Sequence, residues 1–294
     1  MTSTRTTLTT RRPLRRLSRR LASALAGVVV LASAVLSSGD VAHASSRGSV
    51  DVLYAGSLLT LMQDQIGPAF QRATGYSVNG IANGSSALVT EIKGGTEVAD
   101  VFLSASPSAD RALEGAANGN WVSSYRVLGR SGLVLGYNPA STFAAALRSQ
   151  PWYDVVGRAG FLLGRTDPAT DPKGVLAVTA LRSAARRFDR PHLAALATSS
   201  ANVFTETSLV GELDAGQLDA GFFYAVEASA AHLRTVRLTG TNLAATYTVA
   251  LVNRSPHVAA ARAFIAFLRS VEGRRILASH GITPPVTNGV STSS

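Results

Sequence analysis

Apolar and polar positions along this chain follow two periods in turn. Short apolar runs of strand length are followed by stretches where apolar residues recur every three or four positions. Val50 to Tyr54 (VDVLY) predicts a buried strand. After Ala55-Gly56-Ser57, Leu58, Leu61, Met62, Ala69 and Phe70 share one helical face, with Ser57 placed as N-cap. Tyr76 to Ile81 predicts a second strand. Leu88 and Ile92 then mark a short helix that follows Asn83-Gly84-Ser85-Ser86 and stops at Gly94-Gly95. Val98 to Ser104 predicts a third strand, and Ser106-Pro107 opens a helix through Leu113 by setting a capping hydroxyl before a proline.

The rest of the chain repeats the alternation. Val127 to Tyr137 predicts a long strand broken by Gly129 and Gly132, able to cross between lobes. Leu162-Leu163-Gly164 leads into a turn-rich loop, Arg165 to Gly174, followed by a helix through Val178 and Leu181 to about Phe188. Leu209 to Leu213 reads as helix, while Ala220 to Tyr224 and Tyr247 to Asn253 read as strands. Ser255-Pro256 opens a helix carrying Val258, Ala261, Phe264, Ile265 and Leu268, and the tail from Ile282 reads as surface coil. Strands alternating with helices predict α/β architecture.

The first residues do not share this pattern. Six arginines between Arg11 and Arg20 precede an apolar run from Leu21 to Leu36, and Ala42-His43-Ala44 has the small-x-small form of a cleavage site. Residues 1–44 therefore read as a signal peptide removed after Ala44. The apolar run is short for a bilayer span. Ser18-Arg19-Arg20-Leu21 leaves both general and twin-arginine export open.

That reading changes the meaning of the charge. The full chain carries +10, but seven of its 28 basic and one of its 18 acidic residues lie in the first 44. The remainder is nearly balanced, which removes the case for a nucleic-acid partner. Cysteine is absent, so disulfides, thiolate metal sites, cysteine nucleophiles and a cysteine-borne lipid anchor are excluded. The expectation is an exported, periplasmic or extracellular protein.

Enzymatic signatures are sparse. His192, His232, His257 and His280 each stand alone in the sequence, without a second ligand at metal-binding spacing. There is no G-x-S-x-G, P-loop or G-x-G-x-x-G motif. An exported serine hydrolase or esterase using Ser57 remains a rival reading, though nothing marks its base. More prominent are Ala55-Gly56-Ser57, Gly84-Ser85-Ser86 and Ser104-Ala105-Ser106, each at a predicted strand-to-helix junction. Such junctions offer backbone N–H groups and a neutral hydroxyl to an anion, and glycine lets it approach closely. Each serine taken singly is better read as a cap of its own helix, and two Gly-Ser junctions in consecutive units tilt the reading back towards an anion site.

The strings YAGSL, NGSSALVTEI and ADVFLSASPS, then GRTDPATDPKG, DAGQLDAGFFYAVEA and the closing YTVALVNRSPHVAAARAFIAFLRSVEGRRILASHGITP, occur in this order. Together they resemble the molybdate/tungstate-binding proteins of ABC importers, over nearly the whole chain beyond the leader. The resemblance implies a two-lobed periplasmic binding protein fold, each lobe a mixed β-sheet flanked by helices, with two crossover strands. One lobe would join 49–130 with 248–294, and the other would be 131–247. The implied function is capture of a tetrahedral oxyanion, molybdate or tungstate first and sulfate or another small anion as alternative. The chain would be a monomer handing its ligand to ABC permease subunits, with no cofactor and no catalysis.

The same resemblance implies the site. Ser57 and Ser85 match serines that donate hydroxyl and backbone hydrogen bonds. Lys173 matches a backbone N–H donor whose side chain is free to point to solvent, and Glu206 falls near a second backbone donor. Tyr224 matches a tyrosine closing the site from the second lobe; a core aromatic beside Phe222 and Phe223 is the alternative. One branch of the family adds two carboxylates that bind the metal. Asp171 matches the first, and Phe223 stands where the second would be. That departure favours a four-coordinate, hydrogen-bonded oxyanion, with Asp171 turned aside to Lys173 or to an arginine such as Arg165.

Overall fold

In the computed structural model, which describes residues 47–285, the predicted strands assemble around one long central strand. The strands are β1 (Ser49–Ala55), β2 (Ser77–Asn83), β3 (Val101–Ser104), β4 (Val122–Tyr137), β5 (Leu163–Thr166), β6 (Val203–Phe204), β7 (Ala220–Tyr224), β8 (Arg234–Arg237) and β9 (Ala244–Val252). Their order is β2-β1-β3-β9-β4-β7-β5-β6, and β8 adds to the remaining edge of β4. The strands β1, β2 and β3 are mutually parallel, as are β5, β6 and β7, whereas β9 and β4 run antiparallel to their neighbours. The sheet is therefore mixed on both sides of β4.

β4 changes partners along its length. Its first part, from Val122 to Gly132, pairs with β9; from Leu133 to Tyr137 it pairs with β7, and from Val134 also with β8. The expected start at Val127 is five residues late, because Val122, Tyr125 and Arg126 already pair with β9. A register irregularity falls between Val127 and Gly129. There the chain's closing segment crosses: a Cβ on Gly129 would lie 2.4 Å from the Thr283 carbonyl oxygen, so only glycine fits. The tail is accordingly not all surface coil. Ile282 is buried, and Arg130 and Thr283 exchange backbone hydrogen bonds of 2.8 Å each.

Helices α1 (Leu59–Leu61), α2 (Gly67–Thr74), α3 (Ser85–Gly94) and α4 (Pro107–Arg111) follow the first three strands. Between α1 and α2 the helix widens into a π-helical turn at Met62–Ile66, just ahead of Pro68. Proline has no N–H for the carbonyl four residues back and crowds it, and a wider turn relieves both problems. Helices α5 (Ala144–Ser149), α6 (Trp152–Val155), α7 (Pro172–Arg187), α8 (His192–Thr198), α9 (Leu209–Asp214) and α10 (Ala225–Ala230) belong to the middle of the chain. The last two, α11 (Val258–Leu268) and α12 (Val271–Ser279), lie near its end, and α11 packs on β1 and β9. Phe70 meets Phe264 edge-on and Phe267 at a tilt, while Trp152 meets Phe222 edge-on. These rings anchor the apolar layers between helices and sheet.

Several caps follow the sequence. Ser106 accepts from the Ser108 N–H ahead of Pro107, and Gly95 ends α3 in the left-handed conformation. Others do not. α4 stops at Arg111 rather than Leu113, β3 begins at Val101 rather than Val98, and Ser255 bonds Asp100 instead of capping α11. The predicted leader lies outside the described residues. Among those described, no helix is long and apolar enough to cross a membrane.

Candidate functional site

Ligands in α/β folds lie beyond the carboxyl ends of parallel strands, where backbone N–H groups of the following turns are free. Both parallel sets point their carboxyl ends at one buried cluster here. Ser57 follows β1, Ser85 follows β2, Asp171 and Lys173 follow β5, Glu206 follows β6, and Tyr224 ends β7. All six residues are buried. The antiparallel β9 adds Tyr247, and α10 adds Glu227, both also buried.

The two predicted serines play different parts. Ser57 is not an N-cap: Ala55 holds that place, and Ser57 lies inside a 3₁₀ turn, Gly56–Leu58. Its Oγ is 2.8 Å from the Tyr247 hydroxyl oxygen. Ser85 Oγ accepts the Ala105 N–H at 3.0 Å, tying the start of α3 to the turn after β3. An accepting hydroxyl still has its own proton to donate. The Tyr224 hydroxyl is buried without a hydrogen-bond partner, and its ring meets Tyr247 edge-on at 6.0 Å.

The charged residues differ most from expectation. The side chain of Lys173 does not reach solvent; it is fully buried, and Nζ stands 2.8 Å from each Glu227 oxygen and 3.7 Å from Glu206 Oε1. Its backbone N–H, expected to face the anion, donates to Asp171 Oδ1 at 2.9 Å as the N-cap bond of α7. Asp171 thus turns one oxygen to Lys173 as expected, and its Oδ2 accepts no hydrogen bond of ordinary length. Arg165 takes no part, since its guanidinium donates to the carbonyls of Thr166 and Ser199. Glu206 sends its side chain into the cluster, and neither carboxylate oxygen accepts a hydrogen bond of ordinary length.

Three carboxylates therefore face one ammonium in a buried space. Burial, reinforced by Asp171, raises the Glu206 carboxyl well above its ordinary range, although Lys173 opposes this. Burial likewise raises Asp171 and Glu227 against the pull of Lys173. Burial would lower the Lys173 ammonium, but Glu227, Glu206 and Asp171 outweigh it and hold Lys173 above its usual value. Tyr224 and Tyr247 are pushed well above theirs, chiefly by burial, so both remain protonated donors.

Two contacts close this cluster from opposite sides. The Ala87 N–H donates to the Thr170 carbonyl at 3.1 Å, joining α3 to the turn before α7. A Cβ on Gly84 would lie 2.3 Å from the same carbonyl oxygen. Glu206 packs less tightly on Gly56, whose Cβ would sit 3.0 Å from Oε2.

The sequence profile of the bacterial extracellular solute-binding proteins matches residues 50–283. The chain belongs to that family. A putative ABC-transporter molybdenum-binding protein of Haloferax volcanii is 29% identical over 71% of this chain and 66% of its own length. A molybdate/tungstate-binding protein of Pyrococcus abyssi is 22% identical over 58% of this chain and 65% of its own. The chain thus covers just under two thirds of each relative. Among solved structures, the periplasmic molybdate-binding protein of Azotobacter vinelandii superposes with a TM-score of 0.62 at 17% identity, over 80% of this chain and 99% of that one. The architecture is the expected two-lobed periplasmic binding protein fold.

A solute-binding protein holds its ligand without transforming it, and the hydrolase reading of Ser57 falls with the family assignment. Its hydroxyl partner is a tyrosine rather than an imidazole. Sequence reasoning missed Glu227 and Tyr247, which carry no local motif and lie far from Lys173 and Ser57 along the chain. It also treated His257 as solitary. The fold brings His257 within 3.0 Å of Asp100 and 3.6 Å of Asp51. There Asp100 accepts from the backbone of Asp51 and His257 and from Ser255, so both its oxygens are occupied by the joint between β1, β3 and α11.

Proposed function

We propose that the chain is the capture component of an ABC importer for a tetrahedral oxyanion, with molybdate or tungstate the first candidate. One observation carries the reading: the Tyr224 hydroxyl is a buried donor with no acceptor, beside a second buried hydroxyl pair, Ser57 and Tyr247. A buried unpaired donor costs about 1–3 kcal/mol, and an anion accepting from it removes that cost. Ser85, whose proton is free, completes a set of neutral donors from both strand groups. The names of the Haloferax and Pyrococcus relatives favour molybdate or tungstate over sulfate. Ser57, Ser85, Asp171, Lys173, Glu206 and Tyr224 form the proposed site.

The proposed lobes are 49–130 with 248–294, and 131–247. The change of partners on β4 near Gly132 supports this division, as does the entry of β9 at Ala244. Closure is a hinge motion favoured by contacts that only the shut form makes. Export after Ala44, action as a monomer and delivery to permease subunits belong to the same proposal.

The test is a melting panel with tungstate, molybdate, sulfate and phosphate. Ligand at about 100 times its dissociation constant stabilises by roughly 2.7 kcal/mol, which shifts melting by several degrees. Tungstate and molybdate are expected to stabilise and sulfate to do little. Equal stabilisation by sulfate would transfer the reading to a sulfate binder. No shift with any oxyanion would remove it.

A further inference from the structure

The proposed site is acidic where its ligand is an anion, and the arrangement of its charges shows how the two are reconciled. Glu206 lies in the turn between β6 and α9, and its carboxylate rests on Gly56 beside Ser57. Those are the residues through which the first lobe would meet an oxyanion. Lys173 is the ammonium that would balance it, and Glu206 stands 3.7 Å from that ammonium as well. A carboxylate touching both sides of the cradle occupies the region an oxyanion needs.

The two glutamates are held unequally. Glu227 takes Lys173 with both oxygens at 2.8 Å and also accepts the Tyr224 backbone N–H. Glu206 has no hydrogen bond of ordinary length at either oxygen, although it is buried. The groups facing it are Asp171 at the N-cap of α7, Lys173 from α7, Glu227 from α10, Ser57 from the turn after β1, Tyr224 from β7 and Tyr247 from β9. Of the three carboxylates, Glu227 is fixed by Lys173 and Asp171 by the N-cap bond. Glu206 is held least, by Lys173 at 3.7 Å and by its packing on Gly56.

We propose that the Glu206 carboxylate is a built-in competitor, standing against Gly56, Ser57 and Lys173 in the place of the captured oxyanion and giving way when it binds. This inference rests on the oxyanion reading above. Two anions cannot share one ammonium in a buried space without strong mutual repulsion. Displacing Glu206 removes one acidic group from beside Lys173, which stays paired with Glu227, so the incoming anion meets less repulsion than it would with Glu206 in place. The device also sets a threshold. An anion whose contacts with Ser57 and Lys173 do not outweigh the Glu206 ion pair with Lys173 and its packing on Gly56 leaves the side chain in place.

The experiment is calorimetric titration of tungstate at pH 7.5 into the wild-type protein and the variants Glu206→Gln, Glu206→Ala and Glu206→Asp. Gln keeps the shape and packing on Gly56 without the charge, Ala removes both, and Asp retains the charge one methylene shorter. At least tenfold tighter binding is expected for Gln and Ala, with no gain for Asp. Binding by Gln and Ala that is unchanged or weaker than wild type would overturn the competitor and make Glu206 a ligand-supporting residue. If tungstate, molybdate and sulfate all fail to bind every one of these proteins, the oxyanion reading falls, and this role with it. The two failures are therefore distinguishable.

Discussion

Gly84→Ala tests closure with a single methyl group. Gly84 has φ −58° and ψ 135°, an extended conformation that alanine adopts freely, so the substitution brings no backbone strain. Its effect is confined to space. The added Cβ would meet the Thr170 carbonyl oxygen at 2.3 Å, the carbonyl carbon at 3.0 Å and Asp171 Cβ at 3.1 Å. Ordinary contact is about 3.5 Å, so the turn carrying Thr170 and Asp171 must retreat by roughly 1 Å. Overpacking of this kind costs about 1–3 kcal/mol. Retreat also weakens the bond from the Ala87 N–H to Thr170, worth about 0.5–1.5 kcal/mol. Together these come to about 1.5–4.5 kcal/mol, a loss of affinity of roughly tenfold to a thousandfold at about 1.4 kcal/mol per decade.

If the proposed hinge closure holds, the cost falls on the shut form, where α3 and the turn before α7 touch, and is read in binding rather than in folding. Titration of tungstate measures it, with melting of the unliganded protein as the check on the fold. Gly211→Ala is the control, because a Cβ there meets nothing within 4 Å and lies on α9. Gly84→Ala that binds tungstate within threefold of wild type would refute the claim that this corner must close for capture.

Asp110 gives a pH prediction. It is fully buried, accepts from Ser104 and Thr248 at one oxygen only, and burial raises its carboxyl to about 6. Between about pH 4 and 6 the folded chain holds a proton the unfolded chain has released. Stability from this group is therefore present at low pH and lost as pH rises through that window, by about 3 kcal/mol over some two units. Asp110→Asn is expected to exceed wild type in urea stability at pH 7.5 and to match it near pH 4; no advantage at pH 7.5 would show that the two hydroxyl bonds offset burial. Lys173→Met leaves Glu227 and Glu206 buried without a counter-charge and is expected to lower folding stability by about 3–5 kcal/mol. Urea denaturation checks it, and adding Glu227→Leu is expected to recover much of the loss. Ser57→Ala and Tyr224→Phe each remove one proposed donor to the anion and are expected to weaken tungstate binding by about 1.5–3 kcal/mol in calorimetry, with little effect on melting of the unliganded protein.

Local pattern determined much of this protein. The alternation of apolar runs and helical periods located most strands and helices, because burial of one face is written into every few residues. Proline and glycine marked the start of α4 and the end of α3, since both act through the backbone of their own turn. The order of the motifs pointed to the family, and the serines after β1 and β2 and the tyrosine ending β7 were legible as residues of one buried cluster.

Tertiary structure decided what those residues face. Ser57 was open to reading as a cap until β9 brought Tyr247 against it from 190 positions away. Lys173 looked like a surface side chain, since lysine is rarely buried unless paired. Its partner Glu227 lies 54 positions on, beyond any local rule. The same holds for His257, joined to Asp51 and Asp100 only where β1, β3 and α11 meet. The tail was read as coil because its few residues carry no period. Its start, Ile282 and Thr283, is held by backbone bonds to β4 and by the absence of a side chain on Gly129. The balance of three carboxylates against one ammonium likewise has no linear signature. Charge interactions depend on distance and burial, and the chain sets both only when it folds.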